Sequence, residues 1–154
     1  MKKHRKYHFM VALAALVISW LAWPIIFNYS TVQIQPIASA VSTLAGMLFG
    51  FVMASVSLLA TAKDNTLVRN TALTGYLPKL VDQLHWTMAV LLLVCLLFLI
   101  TLFLPDTLVF HIGDSAQEYK FSSVFVTVGV FFLINSFYLF FLSWHSFKTF
   151  TKNM

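Results

Sequence analysis

Charge is what this sequence has least of. Only 5 of its 154 residues are Asp or Glu and 10 are Lys or Arg, 10% charged in all, against about 25% in soluble domains. The few charges are also bunched. No Lys, Arg, Asp or Glu occurs in the 56 residues between Lys6 and Lys63, the 23 between Asp82 and Asp106, or the 27 between Lys120 and Lys148. These tracts fill 106 of the 154 positions, so a soluble fold with a charged surface is excluded. Cysteine is nearly missing too. Cys95 alone can close no internal disulfide, and no His or second Cys stands at metal-ligand spacing, which leaves it as a small apolar residue. There is no phosphate-binding glycine loop, no nucleic-acid motif and no sign of a cofactor. Alternating polarity is absent as well: runs such as Leu91-Leu92-Leu93-Val94 exclude the pattern of a membrane β-barrel.

What is present is enough apolar chain for four membrane spans. A hydrocarbon core about 30 Å thick takes about 20 helical residues, so the two shorter tracts hold one span each. The 56-residue tract holds two, broken at Asn28-Tyr29-Ser30-Thr31 through Gln33 and Gln35-Pro36. The spans are expected at about 9–27, 37–62, 86–105 and 121–144, each α-helical because backbone groups find no water partner in lipid. The fold class is then all-α, a single four-helix transmembrane domain over 1–154. Lys2, Lys3, Arg5 and Lys6, then Lys63, Arg69 and Lys79, then Lys148 and Lys152 lie on one side, and only Lys120 on the other. This bias predicts both termini and the middle loop in the cytoplasm, with Trp20, Trp23, Trp86 and Trp144 near the helix ends. The start resembles a signal peptide, with Ala38-Ser39-Ala40 as a cleavage site. Its apolar stretch is too long and the site too late, so helix 1 is expected to be kept. Neither end carries a lipidation box.

Helix 2 carries Ser42, Gly46, Gly50 and Ala54 at four-residue intervals, extended by Ser39 and Ser57. Small residues so spaced let two backbones approach closely. The face is either a self-association seam or pore lining, or the surface that packs on helix 1 or 3 of the same chain. Asn135 falls near the middle of helix 4 and must face protein or water. It serves either as an interhelical hydrogen bond or as a polar ring in an oligomeric pore. Around it Phe131, Phe132, Phe137, Phe140 and Phe141 read as ordinary packing or lipid-facing residues. No ionisable side chain lies deep in any span, which argues against coupled transport.

Catalysis has little to build on. Asp82 and His85 share a helix face, and a solvated ion pair is the commoner use of such a pair. Asp106, His111, Asp114 and Glu118 lack any established metal-loop spacing. The middle loop is more promising: Leu73, Leu77, Leu80 and Leu84 recur every three or four residues, suggesting an amphipathic turn at the interface that Pro78 starts or kinks. With Lys63, Arg69, Gly75, Tyr76 and Lys79 it forms either a passive connector on anionic lipid or a docking surface for a soluble effector.

From Gly46 to Tyr76 the chain is similar to the RexB-type exclusion proteins of lambdoid prophages. The residues are Gly50-Phe51-Val52-Met53-Ala54-Ser55 leading to Leu58-Leu59, a basic loop, and Leu73-Thr74-Gly75-Tyr76-Leu77 before helix 3. The Kiwa membrane subunit resembles it more loosely, in layout. The resemblance implies a membrane component that blocks phage infection, working with a cytosolic partner or by letting ions cross. It marks Gly46, Gly50 and Gly75-Tyr76 as motif positions. The expectation is therefore a non-enzymatic, homo-oligomeric defence protein of a bacterial inner membrane, with the lipid bilayer as its first partner. Alternatives are an accessory or assembly subunit of a larger membrane complex, or a holin-like lysis protein.

Overall fold

A computed structural model describes residues 2–61, 75–105, 107–111 and 118–152. The chain is all-α, with four helices each long and apolar enough to cross a membrane. They are α1 (Lys2–Phe27), α2 (Thr31–Thr61), α3 (Tyr76–Phe103) and α4 (Phe121–Lys152). Between α3 and α4 lies a short antiparallel hairpin, β1 (Val109–His111) and β2 (Glu118–Lys120), paired Val109 to Lys120, Phe110 to Tyr119 and His111 to Glu118. The bundle thus has a hairpin end and a termini end.

Each helix outruns the span expected for it. The break between α1 and α2 shrinks to Asn28-Tyr29-Ser30, because both sides are capped. Asn28 Nδ2 donates to the Pro24 carbonyl at 2.8 Å, and the Ser30 N–H donates to Gln33 Oε1 at 3.1 Å. Ser30 and Gln33 form half of a capping box, so Gln33 and Pro36 belong to α2 instead of separating it from α1. Gly75 starts α3 with φ +72°, a left-handed turn that suits glycine. Helix α3 therefore begins ten residues before the span expected from 86. Pro78 sits in its first turn, where a missing N–H costs nothing. The leucines read as an interfacial amphipathic turn lie in this extension. Leu80 and Leu84 are buried against Val52 and Leu59 of α2, with Leu77 and Phe147 beside them. They are bundle core, because burying them against neighbours removes more apolar surface from water than laying them on the interface. Leu73 lies outside the described residues.

α1 packs on α4, Phe51 of α2 reaches Phe140 and Trp144 of α4, and α2 and α4 both pack against the central helix, α3. Its Leu80, Leu84, Thr87, Leu91, Val94, Phe98 and Thr101 are all buried, at spacings alternating four and three. That is a heptad pattern, and it packs helices about 20° from antiparallel with left-handed crossing. The neighbours answer in sevens, α2 with Ala38, Ala45, Val52 and Leu59, α4 with Ser122, Gly129, Ser136 and Ser143. The α4 row is the tightest. A Cβ at Gly129 would stand 2.7 Å from Phe98 Cε2, so only glycine lets the Phe98 ring close against that helix.

Candidate functional site: the open face of helix α2

The small-residue row of α2 splits between two faces. Ser42 turns inward, its Oγ 3.4 Å from both the carbonyl oxygen and Sγ of Cys95 on α3. Gly46 is half-buried, while Gly50 and Ala54 are exposed, as are Ser39, Thr43 and Ser57. A Cβ at either Gly46 or Gly50 would meet nothing within 4 Å. The packing surface that α2 gives α3 is therefore the neighbouring row of Ala38, Ala45, Val52 and Leu59. Among the described residues, none comes close against Gly46 or Gly50.

That open face is also chemically quiet. Thr43 donates to the Ser39 carbonyl at 2.9 Å, Ser57 to that of Met53 at 3.1 Å, and Thr61 to that of Leu58 at 3.0 Å. These three hydroxyls are satisfied one turn back in their own helix, so at those positions the face presents backbone and carbon surface. Met47 and Met53 stand exposed beside it. A flat strip with adaptable methionine flanks suits close contact with another helix.

Within the single chain, half-buried Asn135 forms its described hydrogen bond inside its own helix and not with another, donating Nδ2 to the Phe131 carbonyl at 2.8 Å. The interhelical polar contact falls to residues the sequence reading passed over. Thr87 has a single hydroxyl proton and donates it to the Gln83 carbonyl at 2.8 Å. Ser143 must then be the donor in its 2.9 Å pair with Thr87, and it accepts from Gln83 Nε2 at 3.2 Å. Three side chains and one carbonyl form a closed ring of donors between α3 and α4. In a medium that offers no water, such a ring is mutually reinforcing. The signal that could have found it is the seven-residue row of Ser and Gly on α4, overlooked for the four-residue row on α2.

Other candidates part company. His85 is exposed and donates Nδ1 to the Val81 carbonyl at 2.9 Å, and Asp82 is exposed on the same helix. Lys79 is exposed on the first turn of α3, beside Gly75 and Tyr76. Lys63, Arg69, Asp106 and Asp114 lie outside the described residues. Among the described residues no three His, Cys, Asp or Glu gather as metal ligands. At the hairpin end Tyr119 is the hub of an aromatic cluster. Its ring centroid lies 5.3 Å from Phe27, 5.6 Å from Phe110 and 6.4 Å from Trp23, which ties the hairpin to the end of α1. Set against family models, curated proteins and solved structures, the chain matches none of them.

Proposed function

We propose that this protein is a self-associating membrane component of an antiphage exclusion system, seated in a bacterial inner membrane. Copies assemble through the glycine face of α2. Infection alters their packing, and the assembly then depolarises the membrane or releases a cytosolic effector held at the loop bearing Lys63, Arg69, Gly75, Tyr76 and Lys79. The observation that carries the reading is the vacancy of the Gly46–Gly50 face. A close-approach surface left open in one chain is the feature a homo-oligomer in lipid requires. The similarity from Gly46 to Tyr76 to the exclusion proteins supports the biological context.

The test pairs assembly with membrane potential. Because no neighbour stands within 4 Å of a Cβ at either glycine, Gly46→Leu/Gly50→Leu should leave the single chain folded. It should abolish crosslinked oligomers, protection against phage, and the infection-dependent dye signal of depolarisation. Oligomers and protection retained in full would sink the assignment. Depolarisation without phage would make the protein holin-like. Tight co-purification with another membrane protein and no phage phenotype would make it an accessory subunit.

A further inference from the structure

Helices α2 and α4 both pack on α3. Where they approach each other, Phe51 of α2 meets Phe140 and Trp144 of α4, with ring centroids 6.0 and 5.5 Å apart. Behind these rings lies a cavity of about 10 Å³, walled by Val52 and Ser55 of α2, Leu84 of α3 and Ser143 of α4. That is about the room one water needs. Two of its walls are polar and deeply buried, Ser55 at 6% exposure and Ser143 at 2%. Each of these hydroxyls has one proton and has already given it away, Ser55 to the Phe51 carbonyl at 3.0 Å and Ser143 to Thr87. Ser143 also accepts from Gln83 Nε2 at 3.2 Å. One lone pair is then left on the Ser143 oxygen and two on that of Ser55. Two oxygens that can only accept thus border one small cavity. They belong to different helices, and the ring of Gln83, Thr87 and Ser143 does not extend to the one that carries Ser55.

We propose that this cavity is a binding site for one ordered water, which donates one proton to Ser55 Oγ and the other to Ser143 Oγ. The water carries the polar seam of α3 and α4 across to α2. One hydrogen-bonded chain then runs from the Phe51 carbonyl through Ser55, the water, Ser143 and Thr87 to Gln83, over three helices. Three observations select water over an apolar occupant. A cavity of about 10 Å³ admits one small molecule and not a stretch of acyl chain. Both polar walls call for a donor, and a hydrocarbon group offers none, so it would leave two buried oxygens facing apolar surface. Water is also close by, since Lys148 begins the charged end of α4 about one and a half turns beyond Ser143. The bridge strengthens the ring it joins, because a hydroxyl that accepts a further proton donates its own more strongly. The inference rests on the packing of the bundle and not on the exclusion reading, so either can fail without the other.

The experiment uses the full isotope-labelled chain in lipid bilayers, with magnetisation transferred from water protons to side-chain carbons by solid-state NMR. The Cβ signals of Ser55 and Ser143 should both receive transfer, while Leu91 and Val94, fully buried in the same bundle, should receive none. Ser55→Ala removes one of the two acceptors, so transfer to Ser143 should fall several-fold. Ser143→Ala should do the same at Ser55. No transfer to either serine in wild type would overturn the proposal, and so would transfer to Ser143 that is unchanged in Ser55→Ala. Thermal unfolding gives an independent reading. Ser55→Ala should lower the melting temperature of the wild-type chain, and should lower it several-fold less in a Ser143→Ala background, where the water has already lost its second anchor. Equal shifts in the two backgrounds would mean that nothing joins the two hydroxyls, which also overturns the bridge. Should Ser143→Ala fail to fold, the NMR comparison of wild type with Ser55→Ala decides alone.

Discussion

Two glycines with different geometry do different work here. At Gly129 the constraint is space: an added methyl would stand 2.7 Å from a ring that is itself only 2% exposed and cannot swing clear. Overpacking of this kind costs about 1–3 kcal/mol, and the gain in helix propensity from losing glycine returns up to about 1 kcal/mol. Gly129→Ala should therefore lower the melting temperature of the detergent-solubilised chain. Phe98→Leu placed in the same chain should recover most of that loss by making room. A double variant no better than Gly129→Ala alone would show that the contact does not limit packing. At Gly75 the constraint is the backbone, φ +72° with open space around it. Gly75→Asn, which tolerates left-handed geometry, should be nearly silent, and Gly75→Val should cost about 1–2 kcal/mol in the same melt. Gly75 stood out in the sequence as a middle-loop motif position, although its backbone role as the start of a helix did not show there. Gly129 did not, because its role depends on a phenylalanine 31 positions away that no local pattern points to.

The existence of the four helices was readable from the length of the uncharged tracts, since nothing else places so many apolar residues in lipid. Their ends were not, and the reason differs at each. α2 starts six residues early because Gln33 caps Ser30, a polar residue serving the helix instead of breaking it. α3 starts early because Leu80 and Leu84 find α2 and α4 to pack on. Periodicity alone could not say which partner a leucine row would meet, lipid surface or bundle. The same ambiguity hid the α3–α4 seam, where Ser and Thr alternate with apolar residues. The ring of Gln83, Ser143 and Thr87 should be energetically coupled. A double-mutant cycle with Thr87→Val and Ser143→Ala, read by unfolding in detergent or bicelles, should give a coupling of about 0.6–1.7 kcal/mol. Strict additivity would mean that each hydroxyl is satisfied separately by its own helix. By contrast, Asn135→Leu should change stability little, because its amide bonds within α4 and joins no second helix.

Over the whole molecule, the main helix contacts are α2 with α3, α3 with α4 and α4 with α1, and these pairings could not be read from sequence. All four helices are apolar on most of their surface, so composition does not rank one contact above another. What ranks them is fit: the seven-residue rows that meet at α3, and the aromatic cluster around Tyr119 that fastens α1 to the hairpin end. Packing is equally silent on which end of the bundle faces which side of the membrane, because the helix contacts are the same either way up. Charge makes that choice. An even number of spans puts both termini on one face, and nine of the ten Lys and Arg belong to the termini end or the segment between α2 and α3. Moving so many cations across a membrane is opposed at every helix, so the termini end should remain in the cytoplasm. A fluorescent protein fused after residue 154 should therefore be bright. Alkaline phosphatase inserted between β1 and β2 should be active, since that enzyme matures only outside the cytoplasm. If the phosphatase were silent and both fusions behaved as cytoplasmic, α3 and α4 would not both cross the membrane. The four-span topology would then fall.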